Sequence, residues 1–275
     1  MKKEVKLINK IKRLLRRLGC PRWLHHFGPK TYEFYQHMVA LVIRWYCRLS
    51  YRRVVKLLNL LSIECPSKSA LQYNACKIKT AWWNKIIELT SGKKHEIVAI
   101  DATGICRTNP SYHYLKRINS KPPRMFVKLS ASLDVKNKKF CAVKTRIIPV
   151  HDIRDAKILV KRSKAKILVA DKGYDATWLH EYCLSNNVKT HIPMRKNGKV
   201  RIHNLSKRRL AAKHFNEDIY HKRELIESGF GSLKRVYGSS VNSKKASTIR
   251  SDIYGRILCH NIFLKLWTFR TEPLL

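Results

Sequence analysis

Apolar side chains recur every three or four positions through most of the first 90 residues, a spacing typical of amphipathic helices. The first predicted helix spans about residues 3–18, and its apolar face carries Val5, Ile8, Ile11, Leu15 and Leu18. Lys and Arg fill its other face. A longer helical region, almost without glycine, follows from about Tyr32 to Leu89. The pattern therefore predicts an all-helical N-terminal part.

Two potential capping residues divide this region into a unit with the order helix, turn, helix. Ser50 is placed to cap a helix that begins at Tyr51, and a break follows around Pro66. Ser67 is placed to cap a second helix that runs to about Lys77. Two short helices joined by a tight turn are typical of helix-turn-helix proteins, whose second helix enters the major groove of DNA. The same pattern also occurs in helical bundles that bind no nucleic acid.

The pattern changes after residue 92, where short apolar runs replace the helical spacing. Such runs predict strands, and the amphipathic segments between them predict helices. Strands are predicted at 96–101, 125–135, 140–150, 167–171 and 188–194, and helices at 152–164, from a cap at Asp175 to about Ser185, and from Tyr220 onward. This order predicts an α/β fold with a mixed sheet flanked by helices. We therefore expect a helical region over 1–92 and an α/β domain over 93–275.

The charge balance indicates a polyanionic partner. The chain has 58 Lys and Arg against 18 Asp and Glu, a formal net charge of +40. A protein this basic repels itself unless a polyanion such as nucleic acid neutralises it. The charge therefore favours DNA binding by the helix-turn-helix-type unit, with Lys68, Gln72 and Lys77 of its second helix as contacts. The basic segment 196–213 is expected to be a loop placed to bind phosphate.

No signal in the sequence predicts a membrane, a secretory route or a structural metal. No apolar run approaches the roughly 20 residues that span a bilayer, and the N-terminus lacks a secretory pattern. We therefore expect a cytoplasmic protein without membrane association. The eight cysteines show no zinc-ligand spacing, so neither a zinc site nor a disulfide is predicted.

Two of the few acids follow predicted buried strands. Asp101 comes directly after one apolar run, and Asp171 comes directly after another. If these strands are parallel and central, their carboxyl ends meet at one edge of the sheet, where Glu227 of a later helix can join them. Two Asp and one Glu supply the hard oxygen ligands that Mg²⁺ or Mn²⁺ prefers, and a pair of such ions can cleave phosphodiesters. The alternative for either Asp alone is an ordinary turn or cap residue.

A stripe of polar residues on the last predicted helix supports this view. Tyr220, Arg223, Glu227 and Lys234 fall at spacings that return to one face of a helix. A carboxylate among cations stays ionised and can bind a metal, while the cations are placed to hold phosphate. The alternative is a solvated helix face with salt bridges.

These residues carry a resemblance to a known family. The run Tyr220-x2-Arg223-x3-Glu227-x6-Lys234 resembles the Tyr-Arg-Glu-Lys signature of DDE transposases of prokaryotic insertion sequences. The segments that begin at Asp101 and Asp171 are similar to the first and second acidic motifs of that family. The likeness covers about residues 97–263. The short interval between Asp171 and Glu227 resembles the compact branch, which lacks a large β insertion there.

The resemblance implies an RNase H-like core in which Asp101, Asp171 and Glu227 form a catalytic, metal-binding triad. It also implies that Arg223 and Lys234 contact DNA near the cleaved phosphate and that Tyr220 supports them. Lys172, beside the second acid, is expected to contact DNA as well. The implied cofactor is Mg²⁺ or Mn²⁺, with two ions.

The function so implied is a transposase that binds terminal inverted repeats and catalyses metal-dependent strand cleavage and strand transfer. Its partner would be double-stranded DNA, both at the repeats and at the target, and a homodimer is expected in the synaptic complex. A nucleoid-associated protein of a prokaryote is expected. Two alternatives stay open: an inactive, domesticated DNA-binding protein, and an RNase H-fold nuclease that does not join strands.

Overall fold

The structure is a computed structural model that describes residues 3–23, 30–107, 112–117, 119, 126–148, 150–195 and 207–267. The chain divides into two compact units. The first comprises Met1–Thr90, Val236–Gly238 and Ser243–Leu275. The second comprises Ser91–Arg235 and Ser239–Asn242.

The described residues form helices and strands in the following order along the chain: α1 Lys3–Arg17, α2 Phe34–Tyr46, α3 Tyr51–Leu60, α4 Lys68–Lys77, α5 Thr80–Ser91, β1 His95–Arg107, α6 Tyr112–Arg117, β2 Phe126–Asp134, β3 Lys139–Arg146, α7 Ile153–Ser163, β4 Ala165–Ala170, α8 Thr177–Ser185, β5 Lys189–His191, α9 Lys207–Lys213, α10 Glu217–His221, α11 Glu224–Tyr237, β6 Ser240–Val241 and α12 Ala246–Trp267. A short 3₁₀ turn, Lys172–Tyr174, lies between β4 and α8. None of the described helices is long and apolar enough to cross a membrane.

The helix-turn-helix-type unit has the predicted caps. The Ser50 side chain accepts a hydrogen bond from the backbone N–H of Arg53 at the start of α3. The Ser67 side chain does the same for Ala70 at the start of α4. Each hydroxyl satisfies a backbone donor that the first helical turn leaves without a partner. Both predicted caps are confirmed.

The C-terminal helix α12 belongs to the helical unit, whereas the sequence had placed it in the α/β domain. Its Asp252 is buried and forms a salt bridge with Arg44 of α2 at 2.7 Å. A side chain at Gly255 would place its Cβ 2.3 Å from the ring of Trp45. Only glycine allows α12 to pack this closely on α2. Neither contact leaves a periodic signal in the sequence.

The second unit is built on one mixed sheet with the strand order β3-β2-β1-β4-β5. β1 is antiparallel to β2, and β2 is antiparallel to β3. On its other side β1 is parallel to β4, which is parallel to β5. The short β6 pairs with the far end of β1. This is the predicted mixed sheet, with the RNase H-like arrangement that the resemblance implied, and the fold class is confirmed.

Both faces of the sheet are covered by helices. On one face Val98 and Ile100 of β1 pack in a buried cluster with Leu159 of α7 and Leu179 of α8. Successive side chains of a strand point to opposite faces, so Asp101 belongs to the other face. Helix α11 covers that face.

Helix α11 packs closely on the sheet because one of its residues lacks a side chain. A Cβ on Gly229 would lie 2.6 Å from Leu133 Cδ1 of β2. Phe230 stacks on Phe140 of β3, with ring centroids 5.7 Å apart. Ile226, Phe230 and Leu233 form the buried stripe of α11. This packing fixes the helix that carries Glu227.

Several predicted bounds were wrong. β1 continues to Arg107, six residues beyond Asp101, because its antiparallel pairing with β2 continues to Cys106. β3 and β5 are shorter than predicted. Residues 207–213 of the predicted phosphate-binding loop form α9, in which Arg208 is buried. The rest of that predicted loop, 196–206, lies outside the described residues.

Candidate active site

Asp101 and Asp171 occupy neighbouring positions at the centre of the sheet, Asp101 within β1 and Asp171 one residue after the end of the parallel strand β4. The parallel pairing of β1 with β4 ends at the partners Ile100 and Ala170, and each acid is the next residue. Neighbouring strands lie about 4.8 Å apart, so the two residues are laterally adjacent. Asp101 is within β1, not at its end as predicted. It nevertheless lies at the edge of the parallel part of the sheet, because β4 stops beside it.

Helix α11 is tied to the same strand by a hydrogen bond. Lys234 Nζ donates to Thr103 Oγ1 at 2.7 Å. Thr103 lies two residues beyond Asp101, on the same face of β1. Glu227 lies about two turns before Lys234 on α11, so this bond helps to set the position of Glu227 along the face that carries Asp101. Lys234, expected to contact DNA, thus also has a structural partner.

Tyr220, Arg223 and Glu227 do not lie on one continuous helix. Helix α10 ends at His221 and α11 begins at Glu224. The predicted single helix was wrong because hydrogen bonds across the junction join residues three apart: Arg223 N to Tyr220 O at 2.8 Å and Ile226 N to Arg223 O at 3.1 Å. Such 3₁₀-type bonds wind the chain more tightly than an α-helix.

The three side chains remain associated across this junction. Arg223 Nη1 donates to Glu227 Oε1 at 2.5 Å. The Arg223 guanidinium carbon lies 6.0 Å from the centre of the Tyr220 ring. Burial lowers the pKa of Arg223, but the hydrogen bond and charge of Glu227, with Tyr220, raise it overall. The stripe seen in the sequence therefore corresponds to a real cluster, although its backbone is not the predicted one.

The electrostatics of Asp101 tie it to the α11 cluster. Burial raises the pKa of its carboxyl, and the charges of Glu227 and Asp152 raise it further. The hydrogen bond that Asp101 Oδ1 accepts from the Ala102 N–H, at 2.8 Å, and the charge of Arg223 act in the opposite direction. The net direction is upward. The neighbours of this carboxylate therefore compensate its charge only in part, and a cation bound there would stabilise it.

Tyr174 is a buried neighbour of the same acids that the sequence did not single out. Its side chain is buried in the cluster under the sheet, and its hydroxyl has no hydrogen-bond partner within the described residues. Burial raises its pKa, and the negative charges of four carboxylates add to that effect: Asp152, Asp101, Asp155 and Asp171. The hydroxyl thus lies in the field of the acids without donating to them.

The three acids of the predicted triad do not form a preassembled metal site. Among the described residues, no three His, Cys, Asp or Glu side chains are grouped so as to hold a metal ion. Glu227 is exposed and pairs with Arg223. Three carboxylates without a cation repel one another, so pairing of one of them with an arginine is physically reasonable. The donor atoms are nevertheless the hard oxygens that suit Mg²⁺ or Mn²⁺.

Asp175 is not a helix cap, contrary to the prediction. The cap position of α8 is Ala176, and it makes no side-chain bond. Asp175 is instead buried against Arg208, whose Nε donates to Asp175 Oδ1 at 2.8 Å, and it accepts a bond from the Arg195 N–H at 2.7 Å. His180 Nε2 lies 3.1 Å from Asp175 Oδ1. The ion pair with Arg208, which is distant in the chain, takes the place of the predicted capping bond.

Arg195 is a further neighbour of Asp171 that the sequence did not single out, although a signal was present. It follows β5, the third parallel strand, by four residues. A cation just past the carboxyl end of a parallel strand lies at the edge where open sheets place ligands. Recognising it required knowing that β5 is parallel to β4.

The predicted DNA contacts in the helical unit are exposed on α4. Lys68, Gln72 and Lys77 are all exposed, while Leu71 and Ala75 form the buried side of the helix. Lys77 also bonds to the hydroxyl of Tyr73 and lies 4.0 Å from the centre of its ring. The polar face of α4 is therefore available to a partner.

Comparison with known proteins assigns the family. The sequence profile of the family described as "Transposase DDE domain" matches residues 92–262, more than half of the chain. The chain therefore belongs to this family, and it is an enzyme of the DDE transposase class. DDE transposases generally use divalent metal ions. No curated protein matches the chain.

Among solved structures, the chain is similar to the piggyBac transposase in the cryo-EM structure of its synaptic complex with hairpin DNA. The two are 11% identical with a TM-score of 0.46, over 98% of this chain and 74% of that one. The family assignment rests on the sequence profile and not on this likeness.

Proposed function

We propose that the chain is an insertion-sequence transposase of the compact prokaryotic branch. It binds the terminal inverted repeats of its element, hydrolyses a strand at each end, and joins the 3′-hydroxyls to target DNA. The observation that carries the proposal is the lateral adjacency of Asp101 and Asp171 at the end of the parallel pairing of β1 with β4. Helix α11, with Glu227, is tied to the same face by the bond from Lys234 to Thr103.

Asp101, Asp171 and Glu227 are the catalytic acids in this proposal. When bound, two Mg²⁺ or Mn²⁺ ions would activate the attacking water or 3′-hydroxyl and stabilise the leaving oxygen. Asp101 and Asp171 are fixed by their strands. Arg223 donates to Oε1 of Glu227 and not to Oε2. This bond holds the carboxylate near the cluster but leaves its second oxygen unbound by Arg223. Because the nucleophile is water and then a 3′-hydroxyl, no covalent enzyme intermediate is needed.

The cations around the acids would hold DNA. Arg223 is held at the start of α11 by Glu227 and lies near the face of Tyr220. A guanidinium in this place is suited to a phosphate oxygen beside the scissile bond. Lys172 is exposed directly after Asp171 and supplies a second positive charge. Lys234 supports the same region by fixing α11 to β1.

The helical unit would recognise the inverted repeats. Helix α4 presents Lys68, Gln72 and Lys77 on its exposed side. Side chains of this kind at the second helix of a helix-turn-helix unit contact base edges and phosphates in a major groove. The net charge of +40 supports double-stranded DNA as the partner. Two ends must be cut together, so a homodimer in the synaptic complex and an association with the nucleoid are part of the proposal.

The test is cleavage of the DNA that flanks the gene and carries its inverted repeats. With Mg²⁺ or Mn²⁺, the purified protein is expected to nick these ends and to join them to a target duplex, and Asp171→Ala should abolish both reactions. Glu227→Gln should abolish cleavage but leave affinity for the repeats nearly intact, because the change removes a charge at an exposed position.

Two outcomes would replace the proposal. Binding of the repeats without any metal-dependent nicking would identify a domesticated DNA-binding protein. Nicking without joining, measured with a labelled 3′ end and a supercoiled target, would identify an RNase H-fold nuclease. Equal loss of cleavage and affinity in Glu227→Gln would mean that this residue is structural.

A further inference from the structure

We propose that Arg195 is a further DNA-binding residue of the active site, where it holds a phosphate of the strand that lies beside Asp171. This inference rests on the proposed function, because it requires DNA at the Asp101–Asp171 edge. Neither the family match nor the sequence signature assigns a role to Arg195.

Arg195 is anchored beside the second acidic segment by one backbone bond and one side-chain bond. Its N–H donates to Asp175 Oδ2 at 2.7 Å. Its side-chain Nε donates to the backbone carbonyl of Lys172 at 2.7 Å. Two bonds therefore attach Arg195 to the short segment that begins at Asp171, although Arg195 is some twenty positions further along the chain.

The tip of Arg195 lies close to the Asp171 carboxylate. Arg195 Nη2 and Asp171 Oδ2 are each 3.7 Å from the point that a Cβ on Gly173 would occupy. A side chain at position 173 would contact both groups, and glycine leaves this space open. The guanidinium and the carboxylate thus face one small gap at the edge of the sheet.

Arg195 is exposed, and its terminal nitrogens have no partner in the part of the chain that the structure describes. Arg223 differs in this respect, because its guanidinium is bound by Glu227 at 2.5 Å. A fixed guanidinium whose outer nitrogens remain available is suited to a phosphate, which accepts two parallel hydrogen bonds from it. Among the described residues, Arg195 combines this availability with a position beside Asp171.

The buried ion pair of Asp175 and Arg208 bonds to the backbone of Arg195 on both sides. Asp175 and Arg208 have side chains only 1% and 10% exposed, respectively. Burial raises the pKa of Asp175, but bonds from Arg208, from the Arg195 N–H and from His180 lower it overall. Arg208 Nη2 also donates to the Arg195 carbonyl at 3.3 Å. Buried ion pairs contribute little net stability, so we infer that this pair serves to fix the position of Arg195.

The bond from the Arg195 N–H to Asp175 does not depend on the Arg195 side chain, so side-chain substitutions can separate DNA binding from folding. Arg195→Gln removes the positive charge. Arg195→Lys keeps the charge but lacks the paired N–H donors of a guanidinium. Lys166→Ala is the matched control, since Lys166 is exposed near the opposite end of β4 from Asp171 and also contributes one positive charge. All three variants are expected to keep the thermal midpoint of the wild-type protein.

The measurement is the initial rate of nicking of the inverted-repeat DNA with Mg²⁺. Arg195→Gln is expected to lower the rate about 10- to 100-fold, as for loss of a charge-assisted hydrogen bond, with partial recovery in Arg195→Lys. Lys166→Ala should nick at close to the wild-type rate. The contacted phosphate is located by replacing single phosphates near the nick with neutral methylphosphonates. A methylphosphonate at the contacted phosphate should lower the rate of the wild-type protein. The same replacement should not lower the rate of Arg195→Gln any further, because that variant already lacks the contact.

The result has separate outcomes for this inference and for the proposed function. If the wild-type protein does not nick with either metal, the proposed function fails. If the wild-type protein nicks and Arg195→Gln behaves like Lys166→Ala, only the role of Arg195 is wrong. The role of Arg195 would also be wrong if every methylphosphonate slowed Arg195→Gln as much as it slows the wild-type protein. No single phosphate would then depend on Arg195.

Discussion

Asp175 lies four residues after Asp171, close to the edge of the sheet that also carries Asp101, yet the carboxylates of Asp175 and Asp101 have opposite surroundings. Asp175 is enclosed by Arg208, His180 and the Arg195 N–H, and these bonds lower its pKa. At the edge that carries Asp171, the neighbouring Asp101 accepts one backbone bond and has a raised pKa. The first environment stabilises a charge permanently, while the second leaves a charge unsatisfied. The comparison of the two distinguishes an acid that fixes geometry from an acid that serves the chemistry in the proposed function.

The largest effect is expected when the unsatisfied acid loses its charge. Asp101→Asn keeps an oxygen that can accept the bond from the Ala102 N–H. We expect cleavage to fall by at least about 1000-fold, or about 4 kcal/mol in the barrier. The free energy of unfolding should stay within about 1 kcal/mol of the wild-type value or rise, because a desolvated charge is removed. The measurements are nicking of inverted-repeat DNA and chemical denaturation.

The same substitution at the enclosed acid should give the reverse result. Asp175→Asn leaves the buried Arg208 without its negative partner. We expect a loss of about 3–5 kcal/mol in the free energy of unfolding, measured by denaturation or by hydrogen exchange of the second unit. The double variant Asp175→Asn/Arg208→Gln should recover part of this loss, because no uncompensated charge remains. A loss below about 1 kcal/mol in the single variant would contradict the comparison.

The comparison also explains how much the sequence could predict. The apolar runs before Asp101 and Asp171 gave the two strands, and the order of elements gave the mixed sheet. Local hydrogen bonds gave the caps at Ser50 and Ser67. All of these depend on residues close together in the chain. The spacing of Tyr220, Arg223 and Glu227 also identified a real cluster.

What the sequence missed depends on contacts between distant residues. Asp175 has the local context of a helix cap, and only the fold brings Arg208 to it. The placement of α12 rests on Asp252 and Gly255 meeting side chains of α2. The turn between α10 and α11 replaces α-helical bonds with tighter ones, and no proline or glycine marks it. None of these features produces a periodicity.

A smaller effect is expected from the packing that holds Glu227 over the edge of the sheet. In Gly229→Ala, the new Cβ would lie 2.6 Å from Leu133 Cδ1, so α11 must shift. We expect a loss of about 1–3 kcal/mol in the free energy of unfolding and a slower cleavage rate. Gly231→Ala is the matched control on the same helix, because nothing lies within 4 Å of its Cβ position. It should stabilise the protein by up to about 1 kcal/mol. Equal effects at both glycines would refute close packing as the cause.

The enclosed region should also make stability sensitive to acid. Burial lowers the pKa of His180 from the usual 6.5, although Asp175 opposes this. Below pH 6.5 the unfolded chain therefore binds more protons at this site than the folded protein, so the free energy of unfolding should fall as the pH decreases. Each unit of pKa shift is worth about 1.4 kcal/mol. A second loss should follow below pH 3.8, because the pKa of Asp175 is lowered in the folded state.

Denaturation at a series of pH values measures this dependence. His180→Gln should remove part of the first decrease and leave most of the second, because Arg208 and the Arg195 N–H still lower the pKa of Asp175. His191, whose pKa burial also lowers, contributes in the same direction and sets the residual slope. A stability that stays flat between pH 8 and 5 would show that His180 is not kept neutral by its surroundings.

The smallest effect is expected from removal of the Tyr174 hydroxyl, which lies near the acids but does not bond to them. Tyr174 is buried, and its hydroxyl donates to no group in the described residues. Removal of a buried hydroxyl without a partner costs no hydrogen bond, so Tyr174→Phe should leave the free energy of unfolding unchanged or raise it by up to about 1 kcal/mol. The rate of nicking should stay within about a factor of three of the wild-type rate. A tenfold slower rate at unchanged stability would instead mean that the hydroxyl donates to one of the carboxylates once DNA is bound, which would add Tyr174 to the residues that serve the chemistry.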